Sequence, residues 1–280
     1  MTTSAQVIAD SINVEGRRLT TLKLRYPRFI HAEFMTHRVF SRNASSSRAI
    51  PVARLIQDVI DDPAIPCYWG ANQAGMQAGE EINEPVSLVG FKEVSRPSGS
   101  YIEPSEVYVS REAAWLEARD YSVEIARAFA AAGYHKQVVN RLLEPFAHIN
   151  VVVTATEWSN FFDLRLHPDA EPNIQLLARA MKLAMDASRP KLLTHNEWHL
   201  PFVEEQGRLA DLKMVSVARC ARVSYETHDG EPTVFEKDLA LGQRLASSGH
   251  WSPFEHQASP TTGRVANFRG WRSYRSEMGR

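Results

Sequence analysis

The sequence predicts an α+β fold, and three observations predict it. Segments of strand character stand apart from one another. Segments of helical period fall between them in no regular strand–helix alternation, and no glycine-rich dinucleotide fingerprint marks a doubly wound sheet.

Taken in order, residues 18–26 (RLTTLKLRY) alternate apolar and polar, the period of a half-buried strand. Pro27 then opens a helix, PRFIHAEFMTHR, with Ile30, Phe34 and His37 or Arg38 at helical spacing. It runs into a polar loop, SRNASSSRAIP, which Pro51 closes, and a short amphipathic helix follows in VARLIQDVIDD. Pro and Gly without periodicity make residues 62–105 a long surface excursion. Residues 111–132 read as a long, Ala-rich, charged helix. HKQVVNRLLEP reads as another helix, and residues 146–154 (FAHINVVVT) as a buried strand. Thr156 is placed to cap the helix EWSNFFDLR. Pro172 and Pro190 bracket one more helix, NIQLLARAMKLAMDAS. The last third holds VARCARVSY, a helix from Val234 to Ser247, and the turn GHWSPFEH.

The bulk properties narrow the function. The 280 residues suffice for one large domain or two small ones, and 44% hydrophobic with 23% charged residues is an ordinary globular balance. A net charge of −1 offers no global field to nucleic acid or an anionic membrane, so a bound phosphate needs a local cluster of Arg and backbone amides. Cys67 and Cys220 form no metal-spaced or redox pair, and the N-terminus has neither a basic start nor an apolar core of a leader. A cytoplasmic setting and no membrane span are the expectations.

The stretch that carries chemistry is His37-Arg38-Val39-Phe40-Ser41-Arg42-Asn43-Ala44-Ser45-Ser46-Ser47-Arg48. Its hydroxyls, amides and guanidinium groups are phosphate donors, Arg adding bidentate charge-assisted bonds. The competing reading of such a loop is a solvated turn.

The spacing resembles the signature of the ThyX family, the flavin-dependent thymidylate synthases, with His37, Arg38, Ser41, Asn43, Ser46 and Arg48 in register. Four further blocks resemble the same family. Asn140-Arg141-Leu142-Leu143 with Pro145 is similar to its second phosphate-binding segment, and Asn160-Phe161-Phe162-Asp163-Leu164-Arg165 to the segment whose Arg faces the pyrimidine. Ala221-Arg222-Val223-Ser224 and Gly249-His250-Trp251-Ser252-Pro253-Phe254-Glu255-His256 are the others. In familiar short members these last two precede the signature; here they follow it, so the chain resembles the circularly permuted, longer ThyX-like proteins of phage genomes. Permutation is tolerated when termini lie close together on a surface. Residues 268–275 (FRGWRSYR) have the look of a decayed second copy of the segment ending in His37-Arg38, or are an unrelated Arg-aromatic tail.

The resemblance implies a single catalytic domain over residues 1–280, with a signature-bearing half at 12–200 and a permuted half at 205–280. It implies a curved antiparallel sheet flanked by helices, assembled as a homotetramer with active sites at subunit junctions. It implies reductive methylation of dUMP at C5 to dTMP, with FAD as cofactor and methylenetetrahydrofolate and NADPH as cosubstrates. Arg165 takes the catalytic role: held against O2 and N3 of the ring, it stabilises the N3 anion and so activates C5, with no cysteine nucleophile. A surface ion pair of Arg165 with Asp163 or Asp169 is the alternative. The nucleotide-binding positions are Glu33, Thr36, Ala44, Ser45, Ser46, Ser47, Arg48, Arg141 and Arg165. The flavin positions are His37, Arg38, Val39, Ser41, Asn43, Thr154, Thr156, Asn160, Ser224, His250, Ser252 and Glu255.

Several positions depart from the family. Thr36 stands for the first Arg of the triplet, Ala44 for a Glu, Glu33 for a Gln, and Thr154 and Thr156 for Asn and Arg on the flavin side. Two lost cationic contacts weaken the flavin or nucleotide site unless Arg42 or Arg269 compensates. Glu33 is unfavourable beside a phosphate but can accept from a sugar hydroxyl or a cytosine amine. The sequence therefore leaves open dCMP as substrate, a hydroxymethyl product, and a catalytically inactive nucleotide- or flavin-binding homologue. No metal site is expected, because His195 and His199 in THNEWHLPF lack the helical context of a zinc motif. Phe161 reads as core, and Arg179 and Lys182 as a solvated helix face.

Overall fold

Two alternating segments, β1 (Ser4–Asn13) and β2 (Arg18–Pro27), pair antiparallel around a turn at Gly16, whose φ of 75° suits a residue without a Cβ. The computed structural model to which they belong describes residues 3–97, 99–223 and 232–280. After β2 the chain makes a 3-10 turn (Arg28–Ile30) and one helical turn, α1 (His31–Phe34). The helix expected over 27–38 therefore stops early. At the stop the Thr36 hydroxyl and amide both donate to the Glu33 carbonyl, a tightened i to i−3 turn. The segment expected to be loop then contains a strand, β3 (Ser41–Ala44), followed by α2 (Val52–Asp61).

Residues 62–105 are more ordered than their Pro and Gly content suggests. β4 (Val86–Arg96) and β5 (Gly99–Val109) form an antiparallel hairpin, Val86 opposite Val109 and Arg96 opposite Gly99. The long helix follows as α3 (Arg111–Ala131), capped by the Ser110 hydroxyl accepting from the Ala113 amide. HKQVVNRLLEP divides into α4 (Lys136–Val139) and a 3-10 turn (Asn140–Phe146) containing Pro145. The buried strand is β6 (His148–Ala155), then come α5 (Ser159–Arg165), α6 (Pro172–Ala187) and β7 (Lys191–Leu193). Thr156 does not cap α5; its hydroxyl accepts from the Arg269 amide instead. The Glu171 side chain caps α6 by accepting from the Ile174 amide.

The C-terminal part holds α7 (Leu209–Arg222), α8 (Phe235–Ser247), a 3-10 turn (Ser252–Glu255), the hairpin β8 (Ala258–Val265) and β9 (Phe268–Ser273), and α9 (Tyr274–Glu277). Residues 268–273 are thus strand, whereas the segment ending in His37-Arg38 is helical over 31–34 and then a turn, so the two suspected copies do not share a conformation.

The main sheet has the order β3-β6-β2-β1-β7, antiparallel except where β1 meets β7. Antiparallel sheets flanked by helices make the fold α+β, as the pattern predicts. One sheet face buries Leu22, Leu24, Val151 and Val153 against Ile174, Leu177 and Met181 of α6 and Phe161 of α5. The other face is closed by the C-terminal third: Val152 packs with Phe202, Cys220 and Val223, and Leu19 with Phe268 and Trp271. Among the described residues no helix is long and apolar enough to cross a membrane.

Candidate active site

Arg165 ends α5 and reaches back to the segment after α1. Its Nε–H donates to Nε2 of His37 at 3.0 Å, Nη2 lies 3.3 Å from the Thr36 hydroxyl, and Nη1 lies 4.0 Å from Glu33 Oε2. Among the described residues neither Asp163 nor Asp169 pairs with it, and Asp169 pairs with His167. Phe161, one turn back, anchors α5 in the core and packs edge-on against the His37 ring at 4.8 Å. Arg42 donates to the His37 carbonyl, so two guanidinium groups fix this histidine. Burial, then the charges of Arg165 and Arg42, push its pKa down to about 4. His37 is therefore neutral at neutral pH, with its proton on Nδ1 and Nε2 free to accept from Arg165. Burial and the nearby Glu171 push the Glu33 carboxyl upward, against the pull of Arg165.

A cleft of about 400 Å³ opens beside this group, lined by Thr36, His37, Arg38, Val39, Asn160 and Leu164 with Glu157 at its edge. Sequence reasoning gave Glu157 no role. It holds Arg264 and Arg269 of the β8–β9 hairpin, so Arg269 is committed to an ion pair.

The residues expected to hold a phosphate form a second group at the far end of the signature. Ser45 is tied to Asn150 of β6 through both its amide and its hydroxyl. The buried Ser47 hydroxyl donates to Glu144 Oε1 at 2.6 Å, and Arg141 meets both Glu144 oxygens at 3.2 Å. Asn140 fixes this loop by donating to the carbonyls of Ser47 and Ile50. Arg48 and Arg38 are exposed and enter no ion pair among the described residues, while Ala44 ends β3 in an exposed position and Ser46 is half-buried beside it. No hydrogen bond or ion pair joins the Arg165 group to the Arg141 group among the described residues.

The remaining positions expected to hold a flavin scatter. Ser41 and Glu255 line a separate cavity of about 270 Å³ with Arg275, which pairs with Glu255. Ser252 and His250 are exposed nearby, and Ser224 lies outside the described residues. Thr154 is fully buried, its hydroxyl 2.7 Å from that of Thr21 and 2.8 Å from His256 Nδ1. The chain continues from Thr21 to His199 Nε2 and from His199 Nδ1 to Ser11, each at 2.8 Å. Both His199 nitrogens are thus used within the fold. Asn43 Oδ1 is buried without a hydrogen-bond partner among the described residues.

A family model described as thymidylate synthase complementing protein matches residues 19–191. The chain belongs to that family. The matched stretch of this family member contains the signature, Arg141 and Arg165, and ends before the Ala221–Ser224 and Gly249–His256 blocks. Among solved structures the chain resembles a UMP/dUMP methylase, PolB from Streptomyces cacaoi, crystallised with 5-Br UMP (13% identity, 65% of this chain and 88% of that one, TM-score 0.40). It resembles the same protein bound with 5-Br dUMP at 12% identity, covering 65% and 89% of the two chains, with a TM-score of 0.42. A likeness of this size assigns no residue. No curated protein matches the sequence.

The family's flavin can be tested against this donor set. Among the described residues Arg38 is exposed without a carboxylate partner, and Asn160 offers an amide in the same cleft. Both suit an anionic, hydrogen-bonding ligand. A cleft of about 400 Å³ covers part of a dinucleotide.

Proposed function

We propose that this chain is a flavin-dependent C1 transferase that methylates dUMP at C5 to give dTMP, taking carbon from methylenetetrahydrofolate and electrons from NADPH, in the cytoplasm. The observation that carries the reading is the capture of Arg165 by His37 and Thr36 of the family signature at the edge of a cleft. With Nε committed to His37, the terminal nitrogens hold only a 3.3 Å hydroxyl and a 4.0 Å carboxylate, so they keep donors for a pyrimidine. Charge developing on N3 and O2 of uracil is stabilised there, and electron density at C5 rises. Neutral His37 keeps the guanidinium in place as an acceptor. His37, Arg38, Val39 and Asn160 would hold the flavin, which when bound supplies the reducing equivalents.

Cysteine chemistry has little support. Burial pushes the thiol of fully buried Cys220 upward, and exposed Cys67 does not line the cleft beside Arg165. The family resemblance adds a homotetramer in which different chains complete one site. The C-terminal third closing the second sheet face fits a circular permutation of a single domain.

Glu33 favours a second reading. A carboxylate 4.0 Å from the base-reading arginine accepts from a 4-amino group as well as a carbonyl-reading residue donates to O4, which brings in dCMP. The visible spectrum of the protein with FAD, followed by NADPH oxidation with dUMP or dCMP, tests both. Oxidation that depends on one nucleotide names the substrate; a protein that ignores FAD removes the enzyme reading.

A further inference from the structure

Three donors from three parts of the chain converge on one carboxylate. Ser47 donates to Glu144 Oε1 at 2.6 Å, Arg28 Nη2 lies 3.1 Å from the same oxygen, and Arg141 Nη1 lies 3.2 Å from both oxygens. Arg28 follows β2, Ser47 follows β3, and Arg141 opens the 3-10 turn that carries Glu144 itself. Two guanidinium groups and a buried hydroxyl around one oxygen are what a phosphate monoester needs. Here an internal carboxylate takes those bonds.

We propose that Glu144 is an internal competitor for this anion site: its carboxylate holds Arg28, Ser47 and Arg141, and a phosphate binds only by displacing it. This rests on the nucleotide reading for the identity of the ligand, but the competition itself needs only an anion. A phosphate and Glu144 cannot share the donors, since two anions at this range repel and each loses the bonds the other takes. The geometry permits the exchange. The Glu144 side chain is 21% exposed and that of Arg141 57%, so both can swing toward solvent, while buried Ser47 is held by Asn140 and stays. Glu144 thus sets how tightly the site takes an anion, and Arg28 becomes a third phosphate ligand beside Ser47 and Arg141.

The test titrates the full-length protein with inorganic phosphate at constant ionic strength, in wild type, Glu144→Gln and Glu144→Gln/Arg141→Ala, by calorimetry and thermal shift. The amide keeps the size and removes the charge; Glu144→Ala is the second variant should the first not fold. Glu144→Gln is expected to bind phosphate about tenfold tighter than wild type, with the gain abolished by Arg141→Ala. Equal affinity in wild type and Glu144→Gln, or a gain that survives Arg141→Ala, overturns the proposal. Titration with dUMP and with deoxyuridine separates it from the function: the gain must appear for dUMP and be missing for the nucleoside. A phosphate gain without nucleotide binding keeps the competitor and removes the nucleotide reading. Nucleotide turnover with equal phosphate affinity does the reverse.

Discussion

His37 accepts the Nε–H of Arg165 at 3.0 Å, which places a histidine of the signature loop behind the residue proposed to face the pyrimidine. The bond needs a neutral imidazole, and burial supplies one by holding the His37 pKa near 4.

Removing that acceptor should misplace the guanidinium without unfolding the chain. His37→Ala is expected to lower kcat by about tenfold to a hundredfold, the usual cost of a small misplacement. His37→Gln, whose amide oxygen can still accept, should recover part of it. Steady-state kinetics on both variants, with circular dichroism as the folding control, check this.

Acid should destabilise the fold through its histidines. Burial pushes His37 and His148 down to about 4, and His199 and His256 down to about 3, from an ordinary value near 6.5. Below pH 6.5 the unfolded chain takes up protons that the folded chain refuses. Stability is therefore fully present above about 6.5 and falls as pH drops toward 3–4. His199 and His256 should each remove on the order of 2 kcal/mol between neutral pH and pH 5. Urea midpoints at pH 7, 6 and 5 give the slope; a flat profile would show that these rings are not buried as neutral groups.

The buried chain of hydroxyls and imidazoles predicts a cost at Thr154. Its hydroxyl serves both Thr21 and His256 Nδ1, and His256 Nε2 has no partner among the described residues. Thr154→Val keeps the shape and strands the imidazole, so it should cost about 1–3 kcal/mol. Because Thr154 is fully buried, flavin affinity should hardly change. Denaturant unfolding and flavin titration on one variant read both effects.

Much of the frame was legible in the sequence, for reasons that show in particular residues. RLTTLKLRY and HINVVVT carry the period and branching of strands that bury one face or both, and β2 and β6 pair in the middle of the sheet. Arg165 was singled out by the resemblance of Asn160–Arg165 to a family segment, and the fold brings it to His37 and Thr36. β3 was not legible, because Ser41, Arg42, Asn43 and Ala44 have no apolar alternation; their pairing with Thr154 to Val151 of β6 makes them a strand. The β4–β5 hairpin was hidden by the Pro- and Gly-rich composition around it. Glu144 lay inside a quoted motif, but only the fold brings Arg28 and Ser47 to it.

Asp238 on α8 should be the most costly single charge to lose. Fully buried, it pairs with Arg219 at 2.8 Å and with Arg222, both of α7, and so joins the two helices. Asp238→Ala leaves the Arg219 guanidinium buried without one of its carboxylate partners, and an expected loss of about 3–5 kcal/mol follows. Chemical denaturation measures it, and a loss below about 1 kcal/mol would place the pair among ordinary surface contacts.

Release of tritium from C5-labelled dUMP, by wild type and Arg165→Ala in the presence of FAD, NADPH and methylenetetrahydrofolate, tests the central claim most directly. The account predicts nucleotide-dependent release by wild type and its loss in Arg165→Ala with flavin binding retained. Unchanged release in Arg165→Ala would contradict the role given to this arginine, and no release from dUMP or dCMP by the flavin-loaded wild type would contradict the enzyme itself.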